Sequence, residues 1–441
     1  MELGGHYGDL TEFLHYARQH VDSGGFVSVV VANEYLHKDK DTEFLRIFVL
    51  MKSHIITLML GLAALSCATR SQEVVTTIPI VDQVLTTPGE VSKYKSQVLN
   101  QWKDSIRTAT QAEYEAQALD MDDLTMKLWW KVYGEKPVDG RSLYISLHGG
   151  GNAAPEVNDQ QWENQKRLYE PAEGVYLAPR AIVNTWDLHF VPQADLFYER
   201  IIEMMVAFED VNPNKVYLLG YSAGGDGVWR LAPRMADHWA AASMMAGHPG
   251  DVSLDGLRNT PFMIWCGAND DAYNRNKECE NRIKEMDDLH ASDPTGYIHE
   301  GHIVPEKGHW MDRVDGAAIQ WMSQYTRNPY PKKVVWVQGD VMKESFYWLG
   351  IPLTEAAKGS KVVATVDRAT NTVDVEWCDY TQLTVYMNDE MLDLDKPVCI
   401  LFGGRELFNG MVERNANNIR RNLLAREDPA YAFPAQVTVS L

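Results

Sequence analysis

The stretch Val216-Tyr217-Leu218-Leu219-Gly220-Tyr221-Ser222-Ala223-Gly224-Gly225 decides the fold. Its apolar run, Val216–Leu219, has the length and composition of a buried strand, and a helical stretch continues from the glycines to about Trp239. Between them stands Gly-x-Ser-x-Gly, the pattern of a sharp strand-to-helix turn that lifts a serine hydroxyl above a sheet. Glycines on either side let the two backbones approach closely. Taken alone the pattern is weak: about one window in 3,000 matches it, so roughly one chain in seven of this length does so by chance. Strand before and helix after are what raise it.

Working outward, His148-Gly149-Gly150-Gly151 follows the apolar run Leu143–Leu147. Glycines after a strand let backbone N–H groups point into a site, so Gly149 or Gly150, together with Ala223, are expected to donate to an oxyanion. No Gly-Lys-Ser/Thr follows, which excludes a Walker-type phosphate loop. Downstream, the strand Pro261–Cys266 runs into Gly267-Ala268-Asn269-Asp270-Asp271. Asp270 stands where a carboxylate would orient an imidazole, and Asp271 is the near alternative. Gly308-His309-Trp310 then lies in a loop before a helix holding Ile319 and Trp321. His309 has the order expected of a general base, and His302 is its rival. The rings of His148, His189 and His248 are expected to be packing or surface groups.

Around these motifs, short apolar runs alternate with longer helical ones. Residues 93–119 predict a helix from Val98, Trp102 and Ile106 at fourfold spacing; Met126–Tyr133 and Val175–Ala178 predict strands, Ala194–Phe208 a helix and Ala240–Met245 a strand. Such alternation predicts an α/β fold, a mainly parallel sheet flanked by helices. The catalytic domain is expected over 91–327. The texture changes at Asn328-Pro329-Tyr330-Pro331, a linker signal. Beyond it, 332–441 reads as a small C-terminal β-rich accessory domain, with Gly403-Gly404 as a two-residue hairpin turn and one helix near Ala416–Arg426.

The chain has 441 residues, 45% hydrophobic and 23% charged, enough for a substantial core. Asp and Glu outnumber Lys and Arg 61 to 41, a formal charge of −20, which argues against nucleic acid or an anionic membrane surface as partner. Of the five cysteines none shows the spacing of a metal ligand pair, so no metal is expected. The other four, Cys266, Cys279, Cys378 and Cys399, allow three disulfide pairings.

Met51-Lys52-Ser53-His54, the apolar run Ile55–Leu65 and Ser66-Cys67 have the layout of a signal peptide. Residues 51–67 thus predict export to an extracytoplasmic location, periplasmic, cell-surface or secreted. The run is too short for a transmembrane helix, which needs about 20 apolar residues. Leu65-Ser66-Cys67 also resembles a bacterial lipobox, although Ala64 departs from the usual Leu, so a lipid-anchored membrane tether is a further expectation. Residues 1–50 read as an upstream extension, with Met51 as the initiator.

Residues 120–327 resemble an α/β-hydrolase of the secreted esterase and poly(3-hydroxybutyrate) depolymerase-like group, related to feruloyl and acetyl-xylan esterases. The matching stretches are Leu-His-Gly-Gly-Gly at 147–151, Ala-Pro-Arg at 178–180, Gly-Tyr-Ser-Ala-Gly-Gly at 220–225, Leu-Ala-Pro-Arg-Met-Ala-Asp at 231–237, Asp-Asp-Ala-Tyr-Asn-Arg at 270–275 and Gly-His-Trp-Met at 308–311. The resemblance implies hydrolysis of carboxylic esters with Ser222 as nucleophile, His309 as general base and Asp270 as its orienting acid, and no cofactor. Two rival readings stand beside it: a peptidase resembling the prolyl-oligopeptidase group, and a catalytically silent binding module. Trp186 and Trp310 are candidates for the substrate pocket, facing a small-molecule or polymer ester. Asp270, Asp271 and Arg275 read equally as a solvated salt bridge. The accessory domain is expected to cap the hydrolase, hold an oligomer together or bind polysaccharide.

Overall fold

The strand that leads into Ser222 lies near the middle of an eight-stranded sheet. The computed structural model describes residues 78–441; the upstream extension and the signal and lipobox stretch at 51–67 lie outside the described residues. In chain order come α1 (Pro88–Ala116), β1 (Ala118–Met121), β2 (Leu124–Tyr133), β3 (Arg141–Leu147), α2 (Pro155–Gln165), β4 (Gly174–Pro179), α3 (Ala194–Phe208), β5 (Val211–Tyr221), α4 (Ala223–Arg234), β6 (Ala241–Met245), β7 (Phe262–Gly267), α5 (Arg275–Ser292), β8 (His299–Val304) and α6 (Ala317–Met322). Their spatial order is β1-β2-β4-β3-β5-β6-β7-β8. β1 and β2 pair antiparallel, β2 runs antiparallel to β4, and every pairing from β4 to β8 is parallel.

Both faces of this sheet are buried, as parallel sheets require. The two-residue period of β3 and β5 sends Leu143, Ile145, Val216 and Leu218 into one core, shared with Trp102 of α1 and Met204 of α3. Their neighbours Tyr144, Tyr217 and Leu219 enter another, capped by Trp321 of α6. Tyr144 and Tyr217 stack there with centroids 4.8 Å apart.

The first helix differs from its expected range of 93–119. It starts earlier because Thr87 caps it, accepting from Glu90 N at 3.2 Å, with Pro88 in the first turn. It stops at Ala116 because Gln117 turns left-handed at φ 52°, which frees 118–121 to form β1.

After the Pro-rich stretch come two more sheets. One has the order β16 (Arg405–Gly410), β15 (Val398–Phe402), β13 (Thr372–Cys378), β12 (Lys361–Asp367), β9 (Lys333–Val337); the other has β10 (Ser345–Phe346), β11 (Leu349–Gly350), β14 (Gln382–Met387), β17 (Ala435–Ser440). Gly403 and Gly404 make the β15–β16 turn at φ 56° and 79°. These strands enclose their own apolar core, from Val334 and Trp336 to Phe433.

The two sheet systems nevertheless share side chains. The helix α7 (Ala416–Arg426) sends Ile419 and Leu423 into the core of the eight-stranded sheet. Ala236, just past α4, belongs in turn to the β-rich core. Buried charges close the seam. Arg327 meets Asp428 at 2.7 Å, with side chains 1% and 4% exposed, and Arg426 meets Asp237 at 3.0 Å. Residues 78–441 accordingly fall within one compact unit. The four cysteines in it carry free thiols, with Cys266 and Cys279 buried.

Candidate active site

Parallel strands deliver their C-terminal ends to one edge of a sheet, and the loops leaving that edge make the site. Here β5 leads to Ser222, β3 leads into His148–Gly151, β7 leads to Asp270 and β8 leads to His309.

Ser222 adopts φ 59° and ψ −123°, a conformation of order 1–3 kcal/mol above ordinary backbone for a residue with a Cβ. It is pinned from both ends: its N–H donates to Met245 O at 2.9 Å, and its carbonyl accepts from Asp226 N at 3.0 Å. The flanking glycines permit the turn. A Cβ on Gly220 would lie 2.4 Å from Gly224 O, and one on Gly224 would lie 2.1 Å from Leu147 O.

His309 Nε2 lies 2.9 Å from Ser222 Oγ, and its Nδ1 lies 2.8 Å from Asp270 Oδ2. An ionised carboxylate only accepts, so Nδ1 carries the proton and Nε2 is left to accept from the serine hydroxyl. The Asp270 side chain is 1% exposed, whereas that of His309 is 43% exposed. The Asp270 carboxylate is thus sealed beneath a ring that water can reach. Asp271 is exposed, and His302 stacks on Trp265 at 4.0 Å on β8, so neither alternative takes part in this chain of hydrogen bonds.

Two further contacts hold the His309 loop. Tyr221 donates its hydroxyl to His309 O at 2.7 Å and accepts from Met311 N at 3.1 Å. Asn269 N donates to Lys307 O at 2.8 Å, where Gly267 lets the Asp270 and His309 loops touch: a Cβ on it would lie 2.1 Å from Gly308 O.

The glycine loop lies across from the elbow. A Cβ on Gly149 would sit 3.2 Å from Ser222 Cβ, and Gly150 takes φ 111°, where a Cβ would meet Asn158 Oδ1 at 2.2 Å. Asn158 Oδ1 also accepts from Gly151 N at 2.9 Å, which removes Gly151 as a donor to substrate. Ala223 opens α4, so its N–H has no acceptor within the helix. Gly149, Gly150 and Ala223 therefore remain the candidate oxyanion donors. His148 props the loop as a neutral ring: Ala181 N donates to its Nε2 at 3.1 Å, so Nδ1 must donate to Gly149 O at 2.6 Å. Burial lowers its pKa to about 4. His189, also buried and pushed well below the usual imidazole range by desolvation, supports His148 O at 2.8 Å.

Both tryptophan candidates stand at this edge, Trp186 61% and Trp310 50% exposed. Trp186 packs edge-on against Phe190, its backbone near Gly151, and Trp310 tilts against Tyr221 at 5.7 Å. Four supporting residues escaped the sequence analysis: Tyr221, Asn158, Asp226 and, as more than a solvated charge, Arg275. Of these, Tyr221 lies at the variable position of Gly-x-Ser-x-Gly and Arg275 closes the stretch 270–275; Asn158 and Asp226 lie in no motif. Among the described residues no cluster of three His, Cys, Asp or Glu side chains is arranged to hold a metal ion.

None of the known protein-family models matches the sequence. The chain is 31% identical over 118 residues to NocK of Nocardia uniformis subsp. tsuyamanensis, a protein named as an esterase, covering 25% of this chain and 33% of that one. Among solved structures it is similar to a thermostable esterase, with 16% identity, 48% of this chain and 62% of that chain covered, and a TM-score of 0.35. It is similar also to a ferulic acid esterase, with 16% identity, 45% and 97% covered, and a TM-score of 0.32. The chain thus spans about a third of the length of the curated relative it matches. These likenesses are distant, and the strand order stands without them: with a mostly parallel eight-stranded sheet, an antiparallel start and Ser222 on the turn after the central β5, the chain has the α/β-hydrolase fold.

Proposed function

We propose that this chain is a serine hydrolase of carboxylic esters, and the observation that supports it best is the unbroken line from Ser222 Oγ through His309 to Asp270 at 2.9 and 2.8 Å. Ser222 attacks the ester carbonyl while His309 Nε2 takes its proton; the alcohol leaves with that proton, and water releases the acyl group by the same route. Asp270 keeps Nδ1 protonated and stabilises the imidazolium. Gly149 or Gly150 and Ala223 donate to the oxyanion, where one such donor contributes about 10²–10³ in rate. The chemistry needs no cofactor.

Trp186, near Gly151, and Trp310, against Tyr221, stand exposed and suit the acyl or alcohol part of an ester, small or polymeric. Export and a lipid tether rest on residues 51–67 alone, and fractionation of cells expressing the chain, with a Cys67→Ser variant, tests both. Catalysis is tested with p-nitrophenyl acetate beside a chromogenic proline peptide. Ester turnover that disappears in Ser222→Ala supports the proposal. Peptide turnover without ester turnover would transfer the site to peptidases, and no turnover of either would leave a binding scaffold.

A further inference from the structure

Arg275 opens α5, five residues after Asp270, and is not the solvated charge its sequence context allows. Its side chain is only 12% exposed, and Nη1 lies 3.5 Å from Asp270 Oδ1, the oxygen that His309 leaves unused. The backbone is bent to bring it there: Tyr273 and Asn274 both take φ 58°. The guanidinium packs 5.0 Å from the Tyr273 ring centroid, Nη1 also reaches Ala272 O at 3.4 Å, and Nε is buried without a partner. A second carboxylate is near. Asp226, in the first turn of α4, accepts from His248 N at 2.6 Å. Burial raises its pKa, while the His248 N–H and the charges of Arg275, His248 and His309 lower it.

We propose that Arg275 is a positioning residue of the site: it holds Asp270 from the side opposite His309 and offsets the negative charge that Asp270, with Asp226 on α4, brings to the site. This rests on the esterase proposal. A carboxylate beside an imidazole favours its protonated form, which cannot act as a base. A fixed cation beside the carboxylate offsets that effect. The other groups around His309 do not supply that charge. Tyr221 on β5 is neutral, its phenol pushed up by burial. Asp315, below the loop, is bonded by Tyr169, and on the His309 loop itself Lys307 is paired with Asp312 at 2.6 Å. The thiols of Cys266 and Cys279 are buried.

The test is the pH dependence of kcat/KM for p-nitrophenyl acetate at low ionic strength, in wild type, Arg275→Gln, Arg275→Lys, Asp226→Asn and the double variant Arg275→Gln/Asp226→Asn. Removing the cation moves the acidic limb to higher pH by about 0.5–1 unit, the effect of one charge at close range in a partly buried site. Arg275→Lys stays close to wild type, Asp226→Asn moves the limb down, and the double variant returns towards wild type. A limb that does not move in Arg275→Gln, even with lower activity, overturns the proposal, as does an equal shift in Arg275→Lys. Should Arg275→Gln fail to fold, an unmoved limb in Asp226→Asn is enough to overturn it. A wild-type chain that hydrolyses no ester would instead bring down the esterase proposal beneath it.

Discussion

The turn at Ser222 and the seam between the two sheet systems are both buried, yet they are held by opposite means. At the turn the backbone itself is close-packed, with Gly220, Gly224 and Leu147 within a Cβ of each other and no charge involved. At the seam long side chains reach across: Arg327 to Asp428, Arg426 to Asp237, Lys343 to Asp195 and Glu199, and the Tyr431 hydroxyl to Asp237 O at 2.7 Å. A buried ion pair adds little over an apolar pair of the same shape, but losing one partner strands the other. Changes at the turn should therefore damage chemistry and spare stability, while changes at the seam should do the reverse. The stretch Leu231–Asp237 belongs to the second class, since its Arg234 and Asp237 pair with Asp195 and with Arg426 across or beside the seam.

Four variants would break or sharpen this contrast. The largest effect is expected from Ser222→Ala, with kcat down by about 10⁵–10⁶ and a melting temperature that stays with wild type; loss of both together would merge the two regions. Asp270→Asn should lower kcat by about 10⁴, because the amide no longer holds the productive tautomer of His309. Its binding of substrate, read as KM, should change little. At the seam, Asp428→Ala leaves the Arg327 guanidinium buried without its paired carboxylate, and urea unfolding should register a loss of about 3–5 kcal/mol while kcat at low temperature stays close to wild type. The smallest effect is Tyr221→Phe, which touches both properties: two backbone groups at 309 and 311 lose a partner, for about 1–3 kcal/mol of stability, and kcat should fall roughly tenfold, about the rate equivalent of 1.4 kcal/mol in the barrier.

Short-range pattern made most of the site visible in the sequence. Gly220–Gly224, His148–Gly151 and the loops at Asp270 and His309 are each local, and their order along the chain matched one architecture. What stayed hidden was set by tertiary contact. The strand β8, His299–Val304, lies at the end of the sheet and reads His-Glu-Gly-His-Ile-Val, too polar for its length to suggest a strand. The Tyr221 hydroxyl finds partners 88 and 90 residues away, and Asn158 acts on a glycine loop from a separate helix. The Asn328–Pro331 signal marks a change from a mostly parallel to mostly antiparallel sheets, but periodicity in α7 could not say that Ile419 and Leu423 pack into the preceding core. Arg275 read as a surface charge because only the bend at Tyr273 and Asn274 turns it inward.

The most direct measurement of the central claim is to map where an active-serine phosphonate attaches. The chain and its His309→Ala variant are treated with a fluorophosphonate, digested and analysed by mass spectrometry. The account predicts a single adduct on Ser222 in the wild type and slow or absent labelling in the variant. An adduct on another residue, or undiminished labelling of Ser222 without His309, would contradict it.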